Sequence, residues 1–485
     1  MPCLSQSFRS FGNHMVNVTV QDVLNATGGR LLCGDPSMQL LHITTDSRSI
    51  PEKCLFVPIV GEHQNGHDYL ERALMDGCVA SLTEEMEAYE NYLDNHPETE
   101  KTFIFVENTT DAVQKIAKMA RSHVKIPAIG ITGSVGKTTT REMIAAALSS
   151  GLSVYKTDKN FNNWLGVPIT LCDIPEDADI AVLELGLNVR GELGLISSLC
   201  DLQTAVITNI GVAHIEYYGT RDEIAKEKYT ITRGFSDDRK KKMLILNADD
   251  PYVMKYKDEY GFPYLLYGTK EQADYRAANI RIENGKYGFD LYVRGRKRLT
   301  VFLSVLGEHN ILNALAALAA ADYYKLDLDK AAAKLAAFPG FRNRLQRIEH
   351  RGTLLIDDTY NASPSSMKAG LKVLSEIQYG TGTGRRIAVL GDMFELGENA
   401  PSFHYGVGAY ASDLKINALY AVGENAVQYV NGALENGCEF ECRHFEDKET
   451  LLQFLKANVR RNDIIFLKAS NGMKLKEITE GLLNG

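Results

Sequence analysis

Through the middle of the chain, short apolar runs recur at PAIGIT (127–132), IAVLELG (180–186), TAVITNIG (204–211) and KMLILNADD (242–250), with helical spacing between them. Runs of that length alternating with helices predict parallel strands covered on both faces. TLLIDDTY (353–360), RIAVLGDM (386–393), NALYAVG (417–423) and DIIFLKAS (463–470) repeat the arrangement towards the C-terminus. Between the two sets, IRIENGKYGFDLYVRGRKRLTVFLSV (280–305) switches to polar–apolar alternation around NGK and RGR turns, which predicts a small antiparallel appendage. LGEHNILNALAALAAADYY (306–324) is strongly helical, and a second alanine-rich helix ends at Phe338-Pro339-Gly340.

Ahead of the first set, VTVQDVLNATGG (18–29) reads as a strand end and a short helix closed by glycines. HITTDSRSIPEKCLFVPIVG (42–61) reads as two strands joined by a turn at Pro51. HDYLERALMDGC (67–78) is a helix with Leu70, Ala73 and Leu74 on one face, and TTDAVQKIAKMARSHV (109–124) a helix ending near Lys125. The expected fold class is α/β in three domains: a small α/β domain over 16–125, a central P-loop NTPase-like parallel sheet with its appendage over 126–338, and a second α/β unit over 339–485. Residues 1–15 show no clear periodicity, and Met15 is a candidate natural start preceded by a vector-derived leader.

A length of 485 residues fits several cores, and 45% hydrophobic with 24% charged residues describes an ordinary globular chain. The formal net charge of −9 argues against a nucleic-acid or anionic-membrane partner while leaving room for a local basic pocket. No apolar run approaches the roughly 18 residues of a membrane span, and no signal-type apolar core opens the chain. A cytoplasmic monomer without membrane insertion is expected. The eight cysteines (3, 33, 54, 78, 172, 200, 438, 442) have no repeating spacing, which predicts reduced thiols and neither a disulfide framework nor a zinc ribbon.

The chemistry centres on IPAIGITGSVGKTTTREMIA (126–145), where an apolar run meets a glycine-rich turn and then a helical pattern. Gly130, Gly133 and Gly136 are expected to let successive N–H groups converge on phosphate at a helix N-terminus. Lys137 supplies a charge for the β- and γ-phosphates and Thr138 a hydroxyl for Mg²⁺, within a nucleotide loop of Gly133, Ser134, Val135, Gly136, Lys137, Thr138 and Thr139. The usual P-loop glycine five residues before Gly136 is Ile131 here, so the spelling is the variant TGxxGKTT. Glu184 ends a strand where P-loop proteins place an acid near magnesium. His214 follows another strand, as a candidate for a second metal. Lys226 and Lys228 follow it; on residue type alone both read as solvated helix charges.

Asn160, Asn162 and Asn163 cluster carboxamides able to orient a peptide or sugar, or simply to make a polar turn over Trp164. Asn310 and Asn313 lie one helical turn apart, where they could read an adenine edge. Arg342 and Arg344 stand at a domain junction within reach of a γ-phosphate, and Asp357, Asp358, Asp392 and Lys468 sit at strand ends expected to face a shared cleft. TTDSR (44–48) is either a diphosphate contact or a capped turn.

These segments together resemble the Mur ligase family of bacterial cell-wall synthesis over nearly all of 38–480. They are TTDSR with GHDYLERA, GITGSVGKTTT, NFNNWLGVPITL, LELGLNVRGEL, TNIGVAHIEYYG with AKEK, LGEHNILNALAA, NRLQ, IDDTYNASPSSM and LGDMFELGE. The resemblance implies an N-terminal uridine-nucleotide domain, a central ATPase and a C-terminal Rossmann-like domain. It also implies an ATP-dependent ligase joining D-alanyl-D-alanine to UDP-N-acetylmuramoyl-tripeptide. Carried over residue by residue, Lys137 would hold phosphates and Thr138 with Glu184 the first magnesium. His214 and a CO₂-carbamylated Lys228 would serve the second metal; Lys226 lies about 200° around the same helix. Asn310 would meet adenine, Arg344 the γ-phosphate, Asp358 the ribose region, Ser47 and Arg48 the uridine nucleotide, and Asn162 and Asn163 the muramoyl-peptide. Two positions depart from the family: its KGSR reads KASN (468–471), and the His often found after LGxN is Val189. A regulatory P-loop ATPase and a silent nucleotide-binding scaffold are the competing classes. Phosphate release independent of an amine acceptor would mark the first, and loss of Lys137, Thr138, Glu184 or His214 the second.

Overall fold

The computed structural model describes residues 18–61, 63–158, 160–235, 241–283, 285–380 and 382–484. The Met15 start, Cys3 and the first two residues of the 16–125 span lie outside them. The chain is α/β, and its described strands form one two-stranded ribbon and three larger sheets.

The N-terminal sheet has five strands in the order Arg30–Cys33, Thr102–Phe105, Ala80–Thr83, Cys54–Phe56 and His42–Thr44, parallel except at the first pair. His42–Thr44 and Cys54–Phe56 are the two expected strands and run parallel, so the segment around Pro51 that joins them is a crossover. The first helix ends on Gly28 in the left-handed conformation (φ 72°), and Leu70, Ala73 and Leu74 are all buried.

The central sheet has nine strands. Its parallel part places Ala128–Thr132 between Ile180–Glu184 and Thr204–Ile207, with Met243–Asn247 and Tyr264–Gly268 beyond the latter and Val154–Lys156 at the far edge. The strands Tyr275–Glu283, Lys286–Val293 and Arg296–Leu303 continue the same sheet through a parallel pairing with Tyr264–Gly268. The appendage is thus an extension of the nucleotide-binding sheet. Its second turn has Arg294 (φ 47°) and Gly295 (φ 77°) both left-handed, the geometry that a right-twisted hairpin accepts. The C-terminal sheet of six strands is parallel apart from the antiparallel edge strand Gln346–His350.

Apolar packing divides the molecule differently from the strand pattern. One buried cluster runs without a break from Val23, Leu82 and Ile116 of the N-terminal unit to Leu183, Leu193 and Ile207 of the central one. Buried Arg121 reinforces that junction, donating to the carbonyls of Cys200 (2.8 Å) and Ile126 (2.8 Å) and to that of Val124. The C-terminal sheet carries its own clusters on its two faces, and among the described residues only Tyr287 and Leu306 join them from the central unit. The seven described cysteines are free thiols, and Cys438 and Cys442 approach to 3.6 Å between sulfurs.

Candidate active site

The strand Ala128–Thr132 delivers its chain to a turn that only glycine can make. Gly133 has φ 150°, and a Cβ there would lie 1.9 Å from Thr208 Oγ1. Gly136 is left-handed (φ 86°) and starts the helix Lys137–Leu148, whose first turn points N–H groups without intrahelical partners into the cleft. Gly130 departs from expectation: it is a strand residue, and glycine suits it because a Cβ would press on Leu202 at 2.6 Å.

The loop is braced from the neighbouring strand end. Asn209 accepts from Val135 N–H (2.9 Å) through Oδ1 and from Ser134 N–H (3.0 Å) through its backbone carbonyl, and its amide donates to Val135 O at 2.8 Å. Two loop N–H groups are therefore already engaged, which leaves phosphate to the helix start and Lys137. Lys137 arcs over the loop, donating from Nζ to Gly133 O at 2.8 Å. Burial holds its amine below the ordinary lysine value, Glu184 and Glu395 pulling the other way and Arg344 adding to the depression.

Beside it, buried Glu184 is shared by three donors. Thr138 Oγ1 (3.1 Å) and Asn162 Nδ2 (2.8 Å) reach Oε1, and Arg141 pairs with Oε2 at 3.1 Å. Arg141 is itself fixed by Glu142 (2.6 Å), which Lys156 also contacts. Sequence reading passed over Arg141; its signal was a charged pair, Arg141-Glu142, leading into the apolar run MIAAAL of a helix that buries both.

The cleft encloses about 800 Å³ between the central and C-terminal sheets. Ser134 to Thr139, Asn162, Glu184, His214, Asn310, Asn313, Arg344 and Asp358 line it. Arg344 donates from NH2 to Thr138 Oγ1 at 2.9 Å and stacks over Tyr360, while its buried Nε has no partner among the described residues. Lys468 is buried and holds Asp358 at 2.6 Å, so the lysine of KASN is engaged within its own sheet. His214 has left-handed backbone (φ 62°), and its Nδ1 lies 2.8 Å from Oε2 of Glu395, a residue of LGDMFELGE. That contact is the main reason the Glu395 carboxyl sits below its ordinary value.

Other expected residues stand apart from the cleft wall or are otherwise occupied. Asn163 Oδ1 accepts from Gly166 N–H at 2.8 Å, at the start of the helix Gly166–Cys172. Ser47 and Arg48 follow the strand His42–Thr44, away from this cleft, with Arg48 paired to Asp46 at 2.8 Å on the surface. Asn313 accepts from Thr140 (3.0 Å) and donates to Asn310 (2.9 Å), which donates to Leu306 O (2.6 Å), tying the helix His309–Tyr323 to the loop helix. Val189 is 58% exposed and Arg342 faces solvent.

Lys226 and Lys228 separate clearly. Lys226 is exposed and paired with Glu223 at 2.9 Å. Lys228 is 1% exposed and has no hydrogen-bond or ion-pair partner among the described residues. Burial, with Lys137 nearby, drives its amine well below the ordinary lysine value.

Two family models match the chain: the Mur ligase middle domain over residues 131–321 and the Mur ligase glutamate ligase domain over 343–471. The UDP-N-acetylmuramoyl-tripeptide--D-alanyl-D-alanine ligase of Bacillus subtilis is 36% identical across 97% of this chain and 99% of its own. The chain belongs to the Mur ligase family. Among solved structures, MurF from Acinetobacter baumannii superposes with a TM-score of 0.83 at 27% identity, covering 96% of this chain and 99% of that one. The MurF ligase of Thermotoga maritima in complex with ADP has a TM-score of 0.77 at 25% identity, covering 91% and 97%. No described helix of this Mur ligase is long and apolar enough to cross a membrane.

Proposed function

We infer that this Mur ligase joins D-alanyl-D-alanine to UDP-N-acetylmuramoyl-tripeptide at the expense of ATP, a step of peptidoglycan precursor synthesis. The observation that carries the reading is 36% identity over 97% of the chain to a ligase of that name, with the nucleotide cleft complete. The three sheets are assigned to domains over 16–125, 126–338 and 339–485, acting together as a cytoplasmic monomer.

A carboxylate resists attack by an amine because its leaving group would be oxide. Transfer of the γ-phosphoryl group to the tripeptide carboxylate gives an acyl phosphate, from which phosphate can leave when the dipeptide's neutral amine attacks. Lys137 and the open N–H groups of the loop helix hold the phosphates, and Arg344 offers its free Nε to the transferring group. Asn310 keeps an amide hydrogen beyond the one given to Leu306 O, available to adenine. Asp358 serves the ribose region, Ser47 and Arg48 the uridine nucleotide, and Asn162 and Asn163 the muramoyl-peptide. Closure of the C-terminal wall excludes the water that would hydrolyse the intermediate.

The residues suit magnesium. Among the described residues no three His, Cys, Asp or Glu side chains gather as a ready-made site, so the ion would rest on one or two protein groups and phosphate oxygens, its usual habit. Thr138 and Glu184 fit the first position, and His214 the second. A buried lysine lacking an anionic partner fits carbamylation of Lys228, which converts an ammonium that would repel the metal into an oxygen ligand. When bound, magnesium would neutralise charge developing on the phosphates.

The test is ADP release in the presence of the UDP-linked tripeptide and D-alanyl-D-alanine, each omitted in turn. Release that needs both is expected. Full release without the dipeptide would make the protein a nucleotide switch instead.

A further inference from the structure

The contact between His214 and Glu395 joins two units, and both ends have backbone that side chains seldom adopt: φ is 62° at His214 and 61° at Glu395. Such conformations persist when the surroundings hold them. Glu395 is held by its own unit. Met393 N–H donates to Nε2 of fully buried His404 (3.0 Å), whose Nδ1 donates to Ala400 O (2.7 Å), and Phe394 N–H donates to Ser470 Oγ (2.9 Å). Gly397 then rests on Glu216, where a Cβ would be 3.6 Å away, so the segment docks on the short helix that His214 begins.

A carboxylate at Nδ1 leaves Nε2 of His214 free, and no described residue takes it. Metal-binding histidines commonly have one nitrogen on the ion and the other N–H on a carboxylate, which fixes tautomer and ring orientation. Nδ1 and Oε2 are close but not aligned as a hydrogen bond, the state expected of a pair that straightens on ligand binding.

We propose that Glu395 is a positioning residue: the C-terminal unit supplies the carboxylate that orients His214, so the second metal position is completed only when the units close. This rests on the reading of His214 as a ligand to the second metal. Glu395 itself remains half exposed, so changing it leaves the core untouched.

The experiment titrates Mn²⁺, followed by electron paramagnetic resonance, into the full chain saturated with a non-hydrolysable ATP analogue. Glu395→Ala should weaken the second Mn²⁺ by about 10- to 100-fold. It should leave the first Mn²⁺ and the melting temperature as in the unmodified chain. Glu395→Gln keeps an acceptor for the ring N–H and should hold the second ion nearly as well as the unmodified chain. An unchanged second site in Glu395→Ala overturns the proposal. Equal losses in Gln and Ala also overturn it, because they would make Glu395 a direct ligand whose charge matters. Absence of a second ion in the unmodified chain removes the metal reading of His214, and this proposal with it.

Discussion

Gly130 and Gly133 stand three residues apart and are glycines for different reasons. Gly133 must take φ 150° against Thr208, whereas Gly130 only makes room for the end of the Leu202 side chain. Gly133→Ala should therefore abolish nucleotide binding measured by calorimetry. Gly130→Ala should still bind nucleotide and show in denaturant melts an overpacking loss of about 1–3 kcal/mol. The two lysines of AKEK give a second contrast. Lys228→Ala should lose most ligase activity, and short carboxylates in solution should partly restore it by taking the place of the carbamate. Lys226→Ala, which removes only a solvent-screened surface pair with Glu223, should run at the normal rate with or without them. Wild-type turnover in Lys228→Ala would end the carbamate proposal. At this scale residue type pointed to Lys137, Thr138 and Glu184, which the fold gathers at one cleft. It did not announce Asn209, Arg141 or Glu395. Those act through partners 74, 43 and 181 positions away, and no local pattern encodes such distances.

Elements were legible where burial is one-sided or complete, and illegible at sheet edges. The apolar runs at 127–132, 180–186 and 204–211 became central strands because both faces are covered. Gln346–His350 and Glu441–Phe445 are edge strands of mixed burial whose pattern says little without their neighbours, and the short Val154–Lys156 is the edge of the central sheet. The direction of Cys54–Phe56 was equally hidden, since hydrophobic spacing does not record whether a partner strand runs parallel. Thr109–His123 was read as a helix, but the sequence did not say what its apolar face meets. It packs into the cluster that continues under the central sheet, with Ile116 wholly buried there. Ile116→Ala should cost about 2–5 kcal/mol. Because the core is continuous, the loss should move the unfolding of the N-terminal and central units together, as one shifted transition in calorimetry. Two transitions, only one of them shifted, would mean that the shared core does not couple them.

Across the whole molecule, the continuous first core and the separate C-terminal cores imply one rigid body of two units facing a third that can swing. The nucleotide loop, Glu184 and His214 belong to the rigid body, whereas Arg344, Asp358 and Glu395 arrive on or beside the third unit. Arg344 reaches Thr138 and Glu395 reaches His214, so the described arrangement is a closed one in which both walls of the cleft meet. If Ser47 and Arg48 hold the uridine nucleotide as proposed, its binding needs no residue beyond the junction, while phosphoryl transfer would need both walls. A chain ending at residue 338 should therefore fold, since the buried apolar packing it loses among the described residues centres on Tyr287 and Leu306. It should bind the UDP-linked tripeptide with an affinity close to that of the full chain, measured by calorimetry, and release no ADP above background. Loss of uridine-nucleotide binding in a folded truncation would place part of that site on the C-terminal unit. Retained ligation would show that Arg344 and the closing wall are dispensable, and that the acyl phosphate is protected from water by the first two units alone.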